Sequence, residues 1–200
     1  MIECGSHLPR SRANDATNNG RPRQSSLSDD LPVGRVGLQQ KNLRAGSIAG
    51  SALHTIGYQG LNLEQFLAAL HAHEIETVVD VRELPLSRKR GFSKKALAAH
   101  LNLSGVRYIH VPALGCPRAI RYQYRADGDW RRYEAAFLEY LDTQGGALAT
   151  LAATACKSKS ALLCFEADAN YCHRRIVADA VARLTDMPVV HIPHPSAVVA

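Results

Sequence analysis

Short apolar runs alternate with helical patterns from Leu53 onward, which is typical of repeated strand and helix units around a parallel sheet. The apolar runs predict five strands, and in chain order their segments read LHTIG, ETVVDVR, VRYIHV, SALLCFE and VVHIP. The fourth run is apolar on both faces, so we expect this strand at the centre of the sheet. The pattern predicts an α/β fold in three layers: a mostly parallel, five-stranded sheet with helices on both faces, Rossmann-like in architecture.

Capping residues and apolar positions at helical spacing predict the helices between these strands. Asn62 is expected to cap the first helix and Ser93 the second, which ends at Gly105. Further helices are predicted at about 131–144, 146–156 and 171–184. Residues 113–130 break the alternation and are assigned neither helix nor strand.

The first 52 residues have a different composition, rich in Ser, Asn, Gly, Arg and Gln and without sustained apolar periodicity. A segment of this kind buries too little apolar surface to offset the entropy lost on ordering. We therefore expect a disordered tail over residues 1–52 and a single α/β domain over residues 53–195.

Charge and cysteine usage narrow the environment and the class of partner. The formal net charge of +6 makes this a basic protein and favours anionic partners. The five cysteines are odd in number and scattered, which fits the reducing cytoplasm better than a secreted disulfide framework. The start of the chain lacks the apolar segment of a secretory signal, and no stretch is long enough to cross a bilayer, so we expect a soluble, cytoplasmic protein with no membrane partner.

Ionisable residues lie where the predicted strands end. Asp80 and Arg82 close the second strand, and Cys164 and Glu166 close the fourth. Because side chains alternate along a strand, the two members of each pair share a face. The carboxyl ends of parallel strands meet at one edge of the sheet, where ligands bind in open α/β folds, so we expect these side chains to share one pocket.

The start of the last predicted helix adds further candidates. Its apolar stripe, extended back by three to four residues from Ile176, reaches His173, which should point toward the same edge of the sheet. Cys172 falls in the first turn, where free amides and the helix dipole favour a thiolate. We expect Arg175 to face solvent and Arg174 to lie near the boundary of the buried face.

Each candidate also has a structural interpretation. Cys164 can be a core residue of an apolar strand, and His173 can be a strut bonded to Glu166 or Asp80. Arg82 can form a salt bridge with Asp80 or Glu83, although a guanidinium also suits recognition of phosphate or carboxylate.

The remaining polar stretches also have structural interpretations. The basic run SRKRGFSKK can be a solvated loop or a phosphate-binding segment ahead of a helix. Asp168 and Asn170 are most simply turn and cap residues. Cys164, Cys172 and His173, with His191 and His194, offer metal ligands, but the C-x7-C-H spacing matches no zinc pattern, so no metal site is predicted.

Two motifs occur together in this chain: DVR-x-x-P-x-S-R after the second strand, and CFEAD…CHR around the fourth. With TIGYQGLNLEQFLAAL, GVRYIHVPALGCPR and GDWRRYEAAFLEYL, they resemble the bacterial and archaeal family known as domain of unknown function 488, over about residues 54–193. The resemblance places the family pattern on Asp80, Val81, Arg82, Pro85, Ser87, Arg88, Leu114, Gly115, Cys164, Glu166, Cys172, His173 and Arg174.

The sequence departs from the family pattern at two positions. Cys116 stands where many members have Gly or Thr, and Ala169 replaces a Pro that often follows Asp168. The resemblance implies one α/β domain with a polar pocket and carries over no established reaction. Some relatives bear labels that link them to DNA repair.

Two functions fit these residues. The first is an enzyme that acts on a phosphate-bearing substrate, such as a nucleotide or a nucleic-acid end. Its expected catalytic residues are Asp80, Glu166, Cys172 and His173, and its expected substrate-binding residues are Arg82, Ser87, Arg88 and Arg174.

The second is a noncatalytic module that binds nucleic acid or another polyanion on its surface, with Tyr122 and Tyr124 as stacking platforms. Its expected contacts are Arg88, Lys89, Arg90, Lys94, Lys95 and Arg121, with the basic tail assisting, and the two tyrosines stand beside Arg121 and Arg125. The sequence indicates no particular cofactor and no particular oligomeric state.

Overall fold

The computed structural model describes residues 52–194 of the 200-residue chain, and within them the backbone forms a five-stranded sheet. The strands are β1 (Leu53–Gly57), β2 (Thr77–Asp80), β3 (Arg107–His110), β4 (Ser160–Cys164) and β5 (Val189–His191). Every pairing is parallel, and the order across the sheet is β3-β2-β4-β1-β5. The apolar fourth strand therefore lies at the centre, as predicted, and is buried at all five positions.

Helices cover both faces of this sheet. They are α1 (Leu63–Ala72), α2 (Lys94–Leu103), α3 (Arg118–Asp127), α4 (Trp130–Asp142), α5 (Gly145–Ala155) and α6 (His173–Thr185), with one 3-10 turn at Pro112–Leu114. Apolar side chains of α1 and α2 pack with Val78 and Leu163 on one face, whereas α4, α5 and α6 pack with Val79 and Leu162 on the other. The three-layer α/β prediction is confirmed. The strand order differs from the 3-2-1-4-5-6 order of Rossmann dinucleotide-binding folds.

The helix starts follow the predicted capping residues with one difference. Asn62 caps α1 by accepting a hydrogen bond from the Gln65 amide, and the Gln65 side chain accepts one from the Asn62 amide in return. Ser93 stands at the cap position of α2 but makes no side-chain capping hydrogen bond in the described part of the chain. Gly105, with a φ of 75°, follows the end of α2.

Helix α3 was not predicted, because residues 113–130 were assigned neither helix nor strand. This helix begins after Pro117, ends at Gly128 in a left-handed conformation, and has no buried residue among those described. Its sequence is mostly basic and polar, and its apolar side is narrow, with Ile120 and Tyr124 half-buried against the core, so the pattern did not stand out as a packed helix.

β2 and β4 are parallel neighbours, but the chain that follows each strand goes to a different edge of the sheet. From β2 the chain proceeds through α2 to β3 at one edge, whereas from β4 it proceeds through α6 to β5 at the other. A crevice opens beyond the carboxyl ends of two strands that diverge in this way, and ligands of open α/β folds bind there. The two strands that carry the predicted site residues therefore flank the topological switch point.

The expected tail lies outside the described residues except for Ala52, and so does Pro195, the last residue of the expected domain. The assignment of residues 53–195 to a single domain stays a prediction. Among the described helices, none combines the length and apolar character that crossing a membrane requires.

Candidate active site

A cleft of about 630 Å³ opens beyond the carboxyl ends of β2 and β4. It is lined by Tyr58, Arg82, Glu83, Leu84, Leu86, Ser87, Arg88, Lys89, Arg121, Tyr124, Arg125, Tyr133, Cys164, Phe165, Glu166, Tyr171, Cys172 and His173. Five basic side chains and two carboxylates stand in this lining, so the cleft has a basic character. His173 and Arg82, which are distant in sequence, face the same cavity, as predicted.

Arg82 is held on one wall of the cleft by a buried ion pair. Its Nε lies 2.8 Å from Asp80 Oδ1 and its Nη2 lies 2.5 Å from Asp80 Oδ2. Nη1 donates to the Tyr58 hydroxyl and to the Phe92 carbonyl. Tyr108 donates a further hydrogen bond to Asp80. The salt-bridge interpretation of Arg82 is therefore confirmed with Asp80 as the partner, and Asp80 reaches the cleft only through Arg82.

The floor of the cleft brings together two cysteines and a histidine. Cys164 ends β4, Cys172 occupies the cap position of α6, and His173 is the first residue of that helix. His173 Nδ1 lies 3.7 Å from Cys164 Sγ and 4.0 Å from Cys172 Sγ. On the opposite side of the ring, Nε2 donates to the Val81 carbonyl at 2.9 Å. The expected hydrogen bond from His173 to Glu166 or Asp80 was wrong, because a backbone carbonyl occupies that place.

The contacts in the floor shift the pKa values of the two thiols in opposite directions. Burial of Cys172 opposes its ionisation, but hydrogen bonds from Cys164 and His173 hold the pKa of Cys172 well below its usual range. The hydrogen bond to Cys172, together with burial, raises the pKa of Cys164. Burial acts to lower the pKa of His173, yet the sulfur of Cys172 raises it above its ordinary value. The floor therefore favours a thiolate at Cys172 beside an imidazolium at His173.

Glu166 stands at the edge of this floor. Cys164 Sγ lies 3.8 Å from Glu166 Oε2, so the two side chains share a face of the strand end, as predicted. Removal from water, followed by the nearby charge of Cys172, raises the pKa of Glu166. This carboxyl group can therefore donate or accept a proton closer to neutral pH than an ordinary glutamate.

Arg174 lies behind the cleft, where its guanidinium does not contribute to the lining. Its Nη1 donates to the Glu166 carbonyl, its Nη2 donates to the Ala167 carbonyl at 2.8 Å, and its Nε donates to Thr55 Oγ1. The side chain is 1% exposed, so the expected boundary position was wrong: these acceptors satisfy its donors inside the fold. Its expected substrate-binding role stays a prediction. Arg175, expected to face solvent, is only partly exposed because it pairs with Glu134 and Asp179.

The mouth of the cleft carries most of its free positive charge. Arg121 pairs with Glu83 at 2.5 Å, whereas Arg88 and Arg125 make no ion pair within residues 52–194. Ser87 accepts a hydrogen bond from the Lys89 amide, which shapes the loop after β2. Ser87 and Arg88, both predicted to bind substrate, therefore line the mouth rather than the floor.

Tyr133 lines the cleft and Cys116 lies buried behind it, and neither was predicted as a site residue. Burial raises the pKa of Cys116 to about 11, and burial together with Cys116 raises the pKa of Tyr133. Both residues come from the long segment between β3 and β4, and Tyr133 belongs to the apolar stripe of α4. An apolar stripe predicts that Tyr133 is buried, but it does not predict that the residue lies at the end of the sheet where the cleft opens.

Comparison with known families adds one match. The model of the family described as "Domain of unknown function DUF488" matches residues 62–181 of the chain. No curated protein matched the chain, and no solved structure matched it.

Proposed function

Because the chain belongs to the domain of unknown function 488 family, whose description supplies no reaction, we propose a function from the chemistry of the cleft. The protein is an enzyme of phosphoryl transfer that acts on a phosphate-bearing substrate, such as a nucleotide or a nucleic-acid end. The observation that carries this proposal is the placement of the Cys172 and His173 pair on the floor of a cleft whose walls are basic.

Substrate binding would depend on the basic wall and on the helix end. Arg82 presents its guanidinium to the cleft in a fixed orientation, since Asp80 holds it from behind. Arg88 and Arg125 stand at the mouth. Cys172 occupies the start of α6, where backbone amides and the helix dipole favour an anion. A phosphate group bound between the arginines and this helix end would lie next to the Cys172 sulfur.

The reaction then balances with the groups present. His173 Nδ1 is placed to hold the proton of the Cys172 thiol, and the sulfur attacks phosphorus. A phosphorus–sulfur bond forms as the phosphorus–oxygen bond to the leaving group breaks, and Glu166 protonates the leaving oxygen. Water next attacks phosphorus and gives its proton to Glu166, which releases phosphate and restores the sulfur. Asp80 contributes by holding Arg82.

The test is a screen of the purified full-length protein against phosphorylated metabolites, nucleotides and oligonucleotides with phosphorylated ends, with phosphate release as the readout. We expect Cys172→Ser and His173→Ala to lower the rate by about 10²-fold or more. Cys156→Ser is the matched control, because Cys156 follows α5 and does not line the cleft. Activity that is unchanged in both cleft variants, or no turnover of any substrate class, would overturn the proposal.

A second candidate function is supported by the outer surface. Tyr122 on α3 is 53% exposed, accepts a hydrogen bond from Arg118, and stands near Arg121 and Arg125. Basic side chains interleaved with an exposed aromatic ring suit a noncatalytic module that binds nucleic acid or another polyanion.

Binding of labelled single-stranded DNA at increasing salt separates the two functions. The polyanion module requires affinity that falls steeply with salt and is lost in Arg125→Gln combined with Arg118→Gln, but survives in Cys172→Ser. Affinity that is absent or insensitive to salt counts against this second function.

A further inference from the structure

Three side chains in the floor of the cleft present metal-ligating atoms to one another. The sulfurs of Cys164 and Cys172 and a ring nitrogen of His173 all lie within 4.8 Å of each other, and all three residues are buried. From this geometry we infer that Cys164, Cys172 and His173 form a binding site for a thiophilic divalent cation, with Zn²⁺ as the ion of best fit.

The distances correspond to the edges of a tetrahedral site. Zinc binds sulfur at about 2.3 Å and imidazole nitrogen at about 2.0–2.1 Å, so tetrahedral angles place sulfur and nitrogen about 3.6 Å apart. Nδ1 of His173 lies 3.7 Å from Cys164 Sγ and 4.0 Å from Cys172 Sγ. The two sulfurs lie within 4.8 Å of each other, and a tetrahedral zinc site places them about 3.8 Å apart. An ion can therefore enter between the three atoms if the sulfurs move together by up to about 1 Å, which a change in a cysteine side-chain torsion can supply.

The orientation of His173 also fits a metal ligand. Its Nε2 donates to the Val81 carbonyl at 2.9 Å, so Nδ1 faces the two sulfurs and directs its lone pair at them once its proton has been displaced by the ion. Metal-binding histidines commonly make this outer hydrogen bond, because it fixes the tautomer and the plane of the ring. The carbonyl belongs to the residue after β2, so the sheet itself aligns the ligand.

Charge and ligand chemistry indicate the kind of ion. Two thiolates and a neutral imidazole balance a divalent cation within a buried site, and sulfur donors select Zn²⁺ over Mg²⁺ or Ca²⁺. Three protein ligands leave a fourth position, as in catalytic zinc sites. Glu166 Oε2 lies 3.8 Å from Cys164 Sγ, so a carboxylate stands beside the three ligands, and the cleft gives access from outside.

The spacing of the three ligands along the chain explains why no familiar zinc motif is present. Familiar structural zinc motifs place paired ligands on short turns, whereas Cys164 ends a strand and the other two ligands begin the next helix. The connecting loop is held by Arg174, which binds the carbonyls of Glu166 and Ala167. Tertiary structure, rather than local spacing, brings the ligands together.

This site does not depend on the proposed function, but the two share one sulfur. A bound ion would occupy the Cys172 sulfur that the proposed reaction uses as nucleophile. Zn²⁺ is therefore expected to inhibit phosphoryl transfer, with release of inhibition by a chelator. Metal binding is measured by spectroscopy without any substrate, so failure of the proposed reaction and failure of the metal site are distinguishable.

The experiment titrates Co²⁺ into the full-length, reduced and metal-free protein without oxygen. Because the chain contains nine histidines, the readout must be specific for sulfur. We expect a sulfur-to-cobalt charge-transfer band and the intense visible bands of tetrahedral cobalt, saturating at one ion per chain and displaced by Zn²⁺. Zn²⁺ should also raise the melting temperature, since it binds the folded state.

Variants locate the site. Cys164→Ser and Cys172→Ser should remove the charge-transfer band or weaken Zn²⁺ binding by about a hundredfold or more. Cys4→Ser, Cys116→Ser and Cys156→Ser are matched controls that should keep the band. Circular dichroism measures whether each variant is folded. If a cysteine variant does not fold, His173→Gln replaces it, and we expect Zn²⁺ no longer to raise the melting temperature of that variant. A wild-type protein without a sulfur band, or a band of undiminished intensity with unchanged Zn²⁺ affinity in both Cys164→Ser and Cys172→Ser, overturns the inference.

Discussion

Asp80 and Arg82 form a two-point ion pair inside the fold, with Nε to Oδ1 at 2.8 Å and Nη2 to Oδ2 at 2.5 Å. The side chain of Asp80 is fully buried and that of Arg82 is 7% exposed. A pair of this kind aligns the guanidinium toward the cleft. Neither charge can be left alone without a large cost, because removal of one partner strands the other in a region of low dielectric constant.

Asp80→Asn is therefore expected to lower the free energy of unfolding by about 3–5 kcal/mol. Urea denaturation at neutral pH measures this loss. Glu83→Gln is the matched control, because Glu83 pairs with Arg121 where both side chains are about a third exposed. The control should cost about 1 kcal/mol or less. Equal losses in the two variants would show that the buried pair contributes no more than the partly exposed one.

Gly57 ends β1 against the loop that follows β4. A Cβ atom at this position would lie 1.7 Å from the Glu166 carbonyl oxygen, which no side-chain movement can relieve. We expect Gly57→Ala to lower the free energy of unfolding by more than about 2 kcal/mol and to shift the amide resonance of Glu166.

Gly146 provides the comparison within α5. A Cβ there meets no described atom within 4 Å, and alanine favours a helix more than glycine does. Gly146→Ala should therefore leave the melting temperature unchanged or raise it slightly. A Gly57→Ala variant as stable as Gly146→Ala would contradict the close contact between β1 and the Glu166 loop.

His54 is a buried histidine whose charge opposes folding. Burial lowers its pKa below the ordinary 6.5, and the neighbouring His73 and Lys159 lower it further. The unfolded chain therefore binds a proton near pH 6.5 that the folded chain does not, so stability falls as the pH decreases through that value.

His54→Asn removes this titration and keeps a donor toward the Ala52 carbonyl. The free energy of unfolding of this variant should decline less than that of the wild type between about pH 7.5 and about pH 5. Denaturation at several pH values provides the measurement. His71→Asn, on the exposed face of α1, should retain the wild-type slope. Identical pH slopes for wild type and His54→Asn would refute the assignment.

The two helix caps make a further contrast. Asn62 accepts a hydrogen bond from the Gln65 amide, so Asn62→Ala should cost about 1 kcal/mol of stability. Ser93 makes no such bond with any residue of the described segment, so Ser93→Ala should cost only a few tenths. Thermal denaturation of both variants compares them directly. A larger loss in Ser93→Ala than in Asn62→Ala would reverse the expectation.

The strands and most helices were predictable because each carries its own signal. Leu53–Gly57 is bounded as predicted, and the run that contains Cys164 is apolar on both faces because helices pack on both faces of the sheet there. By contrast, the apolar side of α3 is narrow, with Ile120 and Tyr124 only half-buried against the core and basic or polar residues over most of the helix. Elements that lie on the surface are the ones that this kind of pattern misses.

The candidate site was predictable as a location, but several of its contacts were not. The strand ends placed Arg82, Glu166 and His173 at one edge, because parallel strands converge there. The partner of His173 is the backbone carbonyl of Val81, and every residue has a carbonyl, so no sequence pattern identifies it. The burial of Arg174 has the same cause, since two of its acceptors are also backbone oxygens.

Arg174 donates hydrogen bonds to the Glu166 and Ala167 carbonyls, so we expect the floor of the cleft to tolerate fewer amino-acid substitutions than its entrance. The floor of the cleft is fixed by hydrogen bonds between Arg174 and the loop after β4. At the entrance, Arg88 and Arg125 make no ion pair in the described portion of the molecule. If the proposed function holds, substitutions at the entrance would change which anion is admitted and leave the Cys172 sulfur and the His173 imidazole in place. Relatives with the same floor and a rebuilt entrance would share chemistry and diverge in the molecules that they accept.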